Sequence, residues 1–593
     1  MQIITTELQL KNAIRELSKS DTIAYDIEST GLNPKLGIVL IIALATETYQ
    51  CCIDTRAIGT QKVYSALKSL LETKFILGQN ITFDQKWAFH HGVLLKNMHC
   101  TMLTERLLSA GLLRPDGFSL KALVNRYIGL PMEKETRSEF IDNPNIILEK
   151  RHFDYAIKDT VYLFEIYKEQ MRQIEEKNLR ATYDLEMSLI PCTAVLEYTG
   201  IALDEKALRD LIPPFEYLVK SAKQALQDLF IQSGAVSHIL ITKDGYSGVN
   251  LNSKPIKQTK DGTTKYRLGQ VYEAFLALGI APVDKKGNPS LLAKNVLKWD
   301  MQNARGKEYD YRSELGLEDN DDDTLGAAIT AYEGLKHPVL RAFAFYIAAT
   351  KLLDSYVIGT LEKYDPTTQR VYGYFNQLGA RSTGRFSSDL QQIPKDTKLK
   401  QLSINHSIRG CFIASPGRKL LIADYSGIEL VILADVSGDE TLGQLIVDSA
   451  NDKDDMHLYV VRQAFGHLHP LAKEATLDKK KIQPFPFLRN AAKPTSYGIA
   501  YGITPYALAD TISKELAPLN ITCSAKDAEI ILNEWKQTAF PMAGKWLAET
   551  ARHAMRYGWV QTRMGRKRYF DLDYARDKEW KMQAIGREGC NQP

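Results

Sequence analysis

The chain has 593 residues, 44% apolar and 25% charged, a length of about four domains with the ordinary balance of a globular protein able to bury large cores. No uninterrupted apolar run approaches the roughly 20 residues of a membrane span, and the opening MQIITTELQLKNAIRELSKSD lacks the basic start, apolar block and cleavage site of a secretory signal, so neither membrane insertion nor secretion is expected. The net charge of +4 neither demands nor forbids a nucleic-acid partner, and seven cysteines (51, 52, 100, 192, 411, 523 and 590) form no CxxC pair, as in a reduced compartment without a zinc site.

Turn signals alternate with β-rich runs over residues 21–54, in DTIAYDIES and then GIVLIIALATETYQCCID, which predicts the opening of a small sheet. KFILGQN follows as a further strand and leads into the helix-like TFDQKWAFHHG. Apolar residues keep helical spacing across 152–180, which predicts one long helix. Strands mixed with helices make residues 1–180 an α/β domain. Residues 181–365 read as mostly helical, with polar, Gly/Lys-rich interruptions at 243–268 and 283–290. The acidic run 318–323 lacks the glycine and terminal glutamate of a calcium loop and reads as a solvated loop. From about 366 β-like segments return (RVYGYFN, KLLIADYS), followed by a long helical region over 436–557. Residues 550–593 carry ten Lys/Arg against five Asp/Glu, including Arg563, Arg566, Lys567 and Arg568; such a stretch is a phosphate footprint or a solvated face.

Asp26 and Glu28 are two apart, which in a strand puts both carboxylates on one face and Ile27 on the other. Alone, that pair equally suits a strand end meeting solvent. Asn80 and Asp84 lie at the start of a helix, and Tyr155 and Asp159, four apart, share a helix face. Four such acids can converge on two divalent ions about 4 Å apart, a pair that activates water and stabilises the leaving oxygen of a phosphodiester. DIESTGL, NITFD and YAIKD, in this order, resemble the three motifs of the DEDD proofreading exonucleases, in the variant with tyrosine in the last motif. The resemblance implies that Asp26, Glu28, Asp84 and Asp159 are metal ligands, that Tyr155 positions the nucleophile, and that Leu32 and Asn80 hold the 3′ end of a single strand.

In RNAAKPTSYGIAYG, Arg489, Lys493, Tyr497 and Tyr501 recur every four residues, a stripe about 18 Å long on a helix. It suits a nucleoside triphosphate lying along that helix, cations on the phosphates and rings beside sugar and base; an amphipathic helix with core aromatics and surface cations has the same pattern. Pro494, Gly498 and Gly502 make it a poor helix by propensity, a hint of mobility. Upstream, LLIADYSGIEL reads as an apolar strand that abruptly presents Asp424, with Glu429 beyond a turn; an acid ending a buried strand is costly unless it meets a cation or donor.

This helix and strand resemble motifs B and A of the family A DNA polymerases, the DNA polymerase I type. STGRFSSDLQQIP, EYTGIALD, KLLDSY, IRGCF and DMH resemble further segments of that family. The resemblance implies a multidomain α/β and α+β chain. A ribonuclease H-like exonuclease domain (1–180) would be followed by a right-hand polymerase: linker and thumb (181–365), first part of the palm (366–435), fingers (436–560) and the start of the return into the palm (561–593). It implies that Asp424 binds a catalytic metal and that Arg489 and Lys493 grip the triphosphate, with His457 and Arg409 nearby. Glu429 and Tyr497 would exclude a ribose 2′-hydroxyl, Tyr501 would lie near the templating base, and Arg385, Arg587 and Asn591 would touch the primer–template. A tyrosine at 497 implies weak discrimination against dideoxynucleotides.

The sequence departs from the family in Gly427 for a glutamine, Val431 for an arginine, and Asp389 and Gln392 for asparagines. It ends at GREGCNQP without the HDE motif that carries the palm's second carboxylate. The expectation is therefore a complete exonuclease site beside an incomplete polymerase site, in a fragment or a split product completed by a second polypeptide. No 5′-nuclease domain is expected ahead of the exonuclease, a layout that resembles phage and some organellar or bacterial enzymes. The expected function is template-directed DNA polymerisation with 3′–5′ proofreading. Magnesium is expected, two ions per active site, with manganese as substitute. Primer–template, a single-stranded 3′ end and dNTPs are the expected partners; no processivity factor is assigned. The expected location is the cytoplasm of a bacterial or phage-infected cell, or an organelle. A stand-alone exonuclease of the ribonuclease D type and a non-catalytic DNA-binding subunit are the alternatives; template-dependent dNTP binding separates the first, metal-dependent turnover the second.

Overall fold

The computed structural model describes residues 1–132, 136–234, 240–241, 247–249, 251, 256–260, 263–284, 287–292, 295–296, 299–300, 335, 337–396, 399, 405–478, 486–516, 519–575 and 579–589. The acidic run 318–323 and Asn591 lie outside them.

Near the N-terminus, β1 (Gln2–Ile4), β2 (Thr22–Ser29), β3 (Val39–Ala45), β4 (Gln50–Asp54), β5 (Phe75–Gly78) and β6 (Asn97–Cys100) form one sheet, in the order β1-β4-β3-β2-β5-β6. β3 runs antiparallel to β2 and β4, and the remaining pairs are parallel. β3 is buried along its whole length, so its VLIIALA run needs no alternation. A register shift after Glu28 turns the chain out of the sheet immediately beyond the two carboxylates.

The single helix predicted over 152–180 is instead two, Lys150–Val161 and Leu163–Glu176, parted at Tyr162. Thr160 donates its hydroxyl to the Ile157 carbonyl (2.7 Å), and the next amide bond, Ile166 N–H to Tyr162 O, is stretched to 3.3 Å; hydroxyl competition of this kind bends helices. The break lets the two segments fill different cores. Phe153, Ala156 and Ile157 pack on Leu40 and Ile41, whereas Leu163, Phe164 and Ile166 pack on Leu120 and Leu123.

Helix Arg180–Thr199 begins against the first sheet, burying Tyr183, Met187 and Ile190 there, and delivers the chain at Gly200 into a second, antiparallel sheet. That sheet orders Tyr364–Asp365, Arg370–Val371, Ile201–Leu203 and Phe412–Ile413. A large apolar core lies against it, from Leu203 to Cys411 in sequence. The helical run Pro338–Glu362 is long and apolar enough to cross a membrane by length and composition; here Val339, Leu340, Phe343, Ala348, Leu352 and Val357 are buried in that core. Within the polar interruption at 243–268 an antiparallel hairpin pairs Ile256–Lys260 with Thr263–Arg267.

Helices between Ile428 and Tyr557 form a third core around Trp535, Phe540 and Phe465. The Asp439 carboxylate receives the amides of Leu442 (3.0 Å), Met542 and Ala543 (both 3.1 Å), so one acid joins the starts of two helices.

One expectation is overturned here. KLLIADYS is not a buried strand: residues 418–425 have no ladder partner, and Leu421 (95%), Ile422 (88%) and Tyr425 (81%) are exposed. An apolar run becomes a buried strand only where a neighbouring strand accepts its backbone, and none of the described residues does. Within the basic stretch the cations meet acids and a carbonyl of the protein itself. Arg566 pairs with the nearly buried Glu186, Arg563 with Asp435 and Arg568 with Glu588, and Lys567 donates to the Lys177 carbonyl (2.8 Å).

Candidate active site

The C-terminal half of β2 places Asp26 and Glu28 on one face, while Ile27 turns into the sheet core. Helix Lys150–Val161 packs across β2 and β3 and brings Asp159 to them. Carboxylate oxygens of Asp26, Glu28 and Asp159 lie within 4.8 Å of one another. Among the described residues this is the group of acids placed to share a cation. Asp84 comes from the first turn of helix Thr82–His90, just beyond β5, and lines the same cavity. It is almost fully buried, and its Oδ1 accepts no hydrogen bond. Burial, and secondarily the charge of Asp159, hold its carboxyl well above the usual carboxylate range. Tyr155, one turn before Asp159, is also held protonated: burial pushes its phenol up, helped by Glu28, Asp159 and Asp26. Converging carboxylates with a buried oxygen left without a donor are the surroundings that hard divalent cations satisfy, so these residues fit the expected metal.

The cavity measures about 930 Å³. Leu32, 73% exposed on the loop after β2, lies at it, as does Asn80. Asn80 adopts φ 55°, a left-handed turn that asparagine tolerates better than most residues. The motifs gave no hint of the opposite wall. Arg106, Phe118, Glu197 and Tyr198 line it together with residues 372–377, nearly 300 positions from Asn80 in sequence. The wall is bonded in place. Arg106 donates to Asn376 Oδ1 and to the Gln377 carbonyl (3.0 Å), and buried Glu197 accepts from the Phe375 amide (2.8 Å) and from Lys86 (2.7 Å). Arg137 was also missed; it lines the cavity, and its charge favours the ionised forms of Asp84 and Tyr155.

The second set lies on helix Pro486–Ala500. Leu488, Ala491, Ala492, Thr495, Ser496 and Ile499 are buried, which leaves Arg489, Lys493 and Tyr497 on the opposite, partly exposed face, with Tyr501 in the turn just past the helix end. Arg489 is bound to the buried Asp455 through Nε (2.9 Å) and Nη2 (2.7 Å). His457, on the neighbouring helix, is held neutral: burial depresses its pKa to about 4, and Arg489 and Lys493 add to the effect. Tyr501 donates to Glu429 (3.4 Å), and a Cβ on Gly427 would lie 3.3 Å from the Tyr497 hydroxyl. The structure thus brings together Glu429, His457, Arg489, Lys493, Tyr497 and Tyr501. Arg587 stands beside them, its backbone against Gly502. Arg409 is bonded instead to the carbonyls of Ile393 (2.6 Å) and Pro394 (3.1 Å). Arg385 is exposed on a loop, and Asp424 is exposed within the unpaired segment rather than ending a buried strand.

Residues 1–175 match the family model described as 3′-5′ exonuclease, and residues 313–593 match the model described as DNA polymerase family A. Residues 313–593 are a DNA polymerase family A domain. The chain is 25% identical to DNA polymerase I of Chloroflexus aurantiacus over its whole length, covering 55% of that protein. It is 33% identical to the thermostable DNA polymerase I of Thermus aquaticus over 43% of the chain, covering 27% of the relative. With the DNA polymerase of Escherichia phage T5 it shares 23% identity over 96% of the chain, covering 63% of the relative. It therefore spans about half the length, or less, of the first curated relatives it matches. In fold it is similar to the POL domain of Pol1 from M. smegmatis, solved in complex with DNA primer-template and dNTP. That TM-score is 0.66 at 20% identity, over 99% of this chain and 84% of the other. The architecture is accordingly an exonuclease domain followed by a family A polymerase domain.

Proposed function

We propose that the chain carries the proofreading site of a template-directed DNA polymerase, which extends a primer 3′ end with dNTPs and proofreads by 3′–5′ phosphodiester hydrolysis, together with a polymerase site that needs a further carboxylate to act. The observation that carries the proofreading half is the convergence of Asp26, Glu28 and Asp159 within 4.8 Å, in one cavity with Asp84 and Tyr155. Magnesium, two ions per site with manganese as substitute, would be held by Asp26, Glu28, Asp84 and Asp159 and would supply the Lewis acidity that activates water and stabilises the leaving oxygen. Tyr155, kept protonated, holds the attacking water by its phenol. Leu32 and Asn80 receive the 3′ end of the single strand at the mouth of the cavity.

For polymerisation, Arg489 and Lys493 bind the triphosphate, and Arg489 exchanges Asp455 for phosphate oxygens as it does so. His457, neutral and half-ringed by the same cations, donates or accepts without adding charge. Tyr497 and Glu429 face the sugar, and Tyr501 and Arg587 the template side. The domain limits proposed are 1–180, 181–365, 366–435, 436–560 and 561–593. The exposed apolar residues 420–425 support a reading in which further polypeptide covers this segment in the working polymerase and sets a second carboxylate beside Asp424. Bacterial and phage relatives support the cytoplasm of a bacterial or phage-infected cell as the place of action.

One labelled primer–template, incubated with magnesium with and without dNTPs, tests this. The 593-residue chain is expected to shorten the primer stepwise from its 3′ end and not to extend it. Failure to shorten it would refute the exonuclease reading; extension by the chain alone would refute the need for a further carboxylate.

A further inference from the structure

Beyond the carboxylates, the loop at 31–37 has an unusual attachment. It is knitted internally: the Leu36 (3.1 Å) and Gly37 (3.0 Å) amides donate to the Asn33 carbonyl, and the Lys35 amide (3.0 Å) donates to Asn33 Oδ1. Its base is closed by the Thr30 amide on the Ile38 carbonyl and the Ile38 amide on the Thr30 hydroxyl, both at 3.0 Å. It is thus a stiff unit seated on buried Pro34, while its two leucines point outward, Leu32 73% and Leu36 78% exposed.

What reaches across is Lys35. Its ammonium lies 4.3 Å from the ring centroid of Tyr372 and 4.6 Å from that of Tyr198, and it donates to the Tyr372 hydroxyl (2.8 Å). Both rings are themselves fixed. The Tyr372 hydroxyl also meets Thr368 Oγ1 (2.7 Å), and Gly200 at φ +62° lets the backbone pass so close that a Cβ there would lie 2.7 Å from the Tyr372 ring. The Tyr198 hydroxyl is 3.0 Å from His90 Nδ1, at the end of the helix that carries Asp84. One cation therefore ties the loop leaving the Asp26–Glu28 strand to the Asp84 helix and to the sheet of the polymerase domain. Cation–π contacts of partly desolvated ammonium groups are strong enough to hold such a loop.

We propose that Lys35 is a positioning residue for proofreading: its cage with Tyr198 and Tyr372 fixes Leu32 at the mouth of the cavity, so that a single-stranded 3′ end finds a preformed seat. This rests on the exonuclease reading above. Lys35 lies outside the metal-ligand cluster and acts on capture of the strand rather than on hydrolysis.

The test is steady-state degradation of a 5′-labelled single-stranded oligonucleotide in magnesium by the full chain and by Lys35→Ala, Lys35→Arg, Tyr372→Leu and Lys35→Ala/Tyr372→Leu, with thermal melts of each. Lys35→Ala and Tyr372→Leu are each expected to raise KM about tenfold while kcat stays within about twofold. The double variant is expected to be no worse than either single one, because both remove the same cage. Lys35→Arg, which can still face the rings, is expected to restore KM. An unchanged KM in Lys35→Ala overturns the proposal. So does a raised KM in Lys35→Ala with a normal one in Tyr372→Leu, which would make Lys35 a direct phosphate contact. A fall in kcat that tracks a lowered melting temperature would make the cage merely structural and overturns it too. A wild-type chain that leaves the strand intact would instead refute the exonuclease reading itself.

Discussion

Replacing Asp26 and Glu28 together by alanine is expected to abolish degradation of single-stranded DNA, a loss on the order of 10⁴-fold or more, because nucleophile generation and leaving-oxygen stabilisation both go with the ions. Asp84→Asn is expected to cost activity on a similar scale, since that buried carboxylate offers an oxygen with no other partner. Asp424→Ala, in the exposed segment at 418–425, is expected to leave degradation unchanged. The alanine pair carries a second signature. Carboxylates within 4.8 Å of one another repel without a cation between them, so in metal-free buffer the variant should melt at or above the wild-type temperature. Loss of activity with a lowered melting point would point to misfolding instead. A gel assay beside a thermal melt separates the two.

The second large effect concerns the joint between the two domains. The hairpin Trp559–Gln561/Lys567–Tyr569 docks on the exonuclease domain and on helix Arg180–Thr199, which follows it and packs against its sheet: Tyr569 N–H donates to Ala110 O (2.8 Å), and Thr182 Oγ1 donates to Met564 O (3.1 Å). At its centre Arg566 pairs with Glu186, their side chains 16% and 4% exposed, and Gln377 donates to the same carboxylate (2.6 Å). Close approach is built in on both sides. Gly384 at φ +68° leaves room for the Arg566 guanidinium, and Gly111 at φ +92° sits against the Tyr569 carbonyl. Arg566→Ala leaves a carboxylate buried without its cation, a change that costs about 3–5 kcal/mol. Calorimetry is expected to show an early transition for the released exonuclease domain. Glu186→Leu added to Arg566→Met should recover most of the loss, because it removes the stranded charge.

The candidate site was readable where its residues keep a local period. Asp26 and Glu28 follow the two-residue repeat of β2, and Tyr155 and Asp159 follow one helical turn, so their motifs survive in the bare sequence. The facing wall was not readable. Tyr198 and residues 372–377 reach the cavity through tertiary docking, and Glu197 and Arg106 hold them there by bonds that no spacing announces. The misreadings have the same origin. KLLIADYS has the composition of a core strand, but strand status depends on a neighbour that the segment itself does not encode. The basic run at 563–568 likewise does not announce its partners Glu186, Asp435 and Glu588, which come from three other elements. The break at Tyr162, beside the Thr160 hydroxyl bonded to the Ile157 carbonyl, interrupts no hydrophobic period and so leaves no trace in it. On helix Pro486–Ala500 the four-residue stripe did mark the outward face, because the opposite face is buried over the full length of the helix.

The measurement that bears most directly on the central claim is anomalous diffraction from crystals of the chain soaked in manganese with a short single-stranded oligonucleotide. Two peaks about 4 Å apart, bounded by Asp26, Glu28, Asp84 and Asp159 with the 3′ end beside Leu32, are the predicted result. Manganese bound elsewhere, with no peak in contact with Asp26 or Glu28, would contradict it.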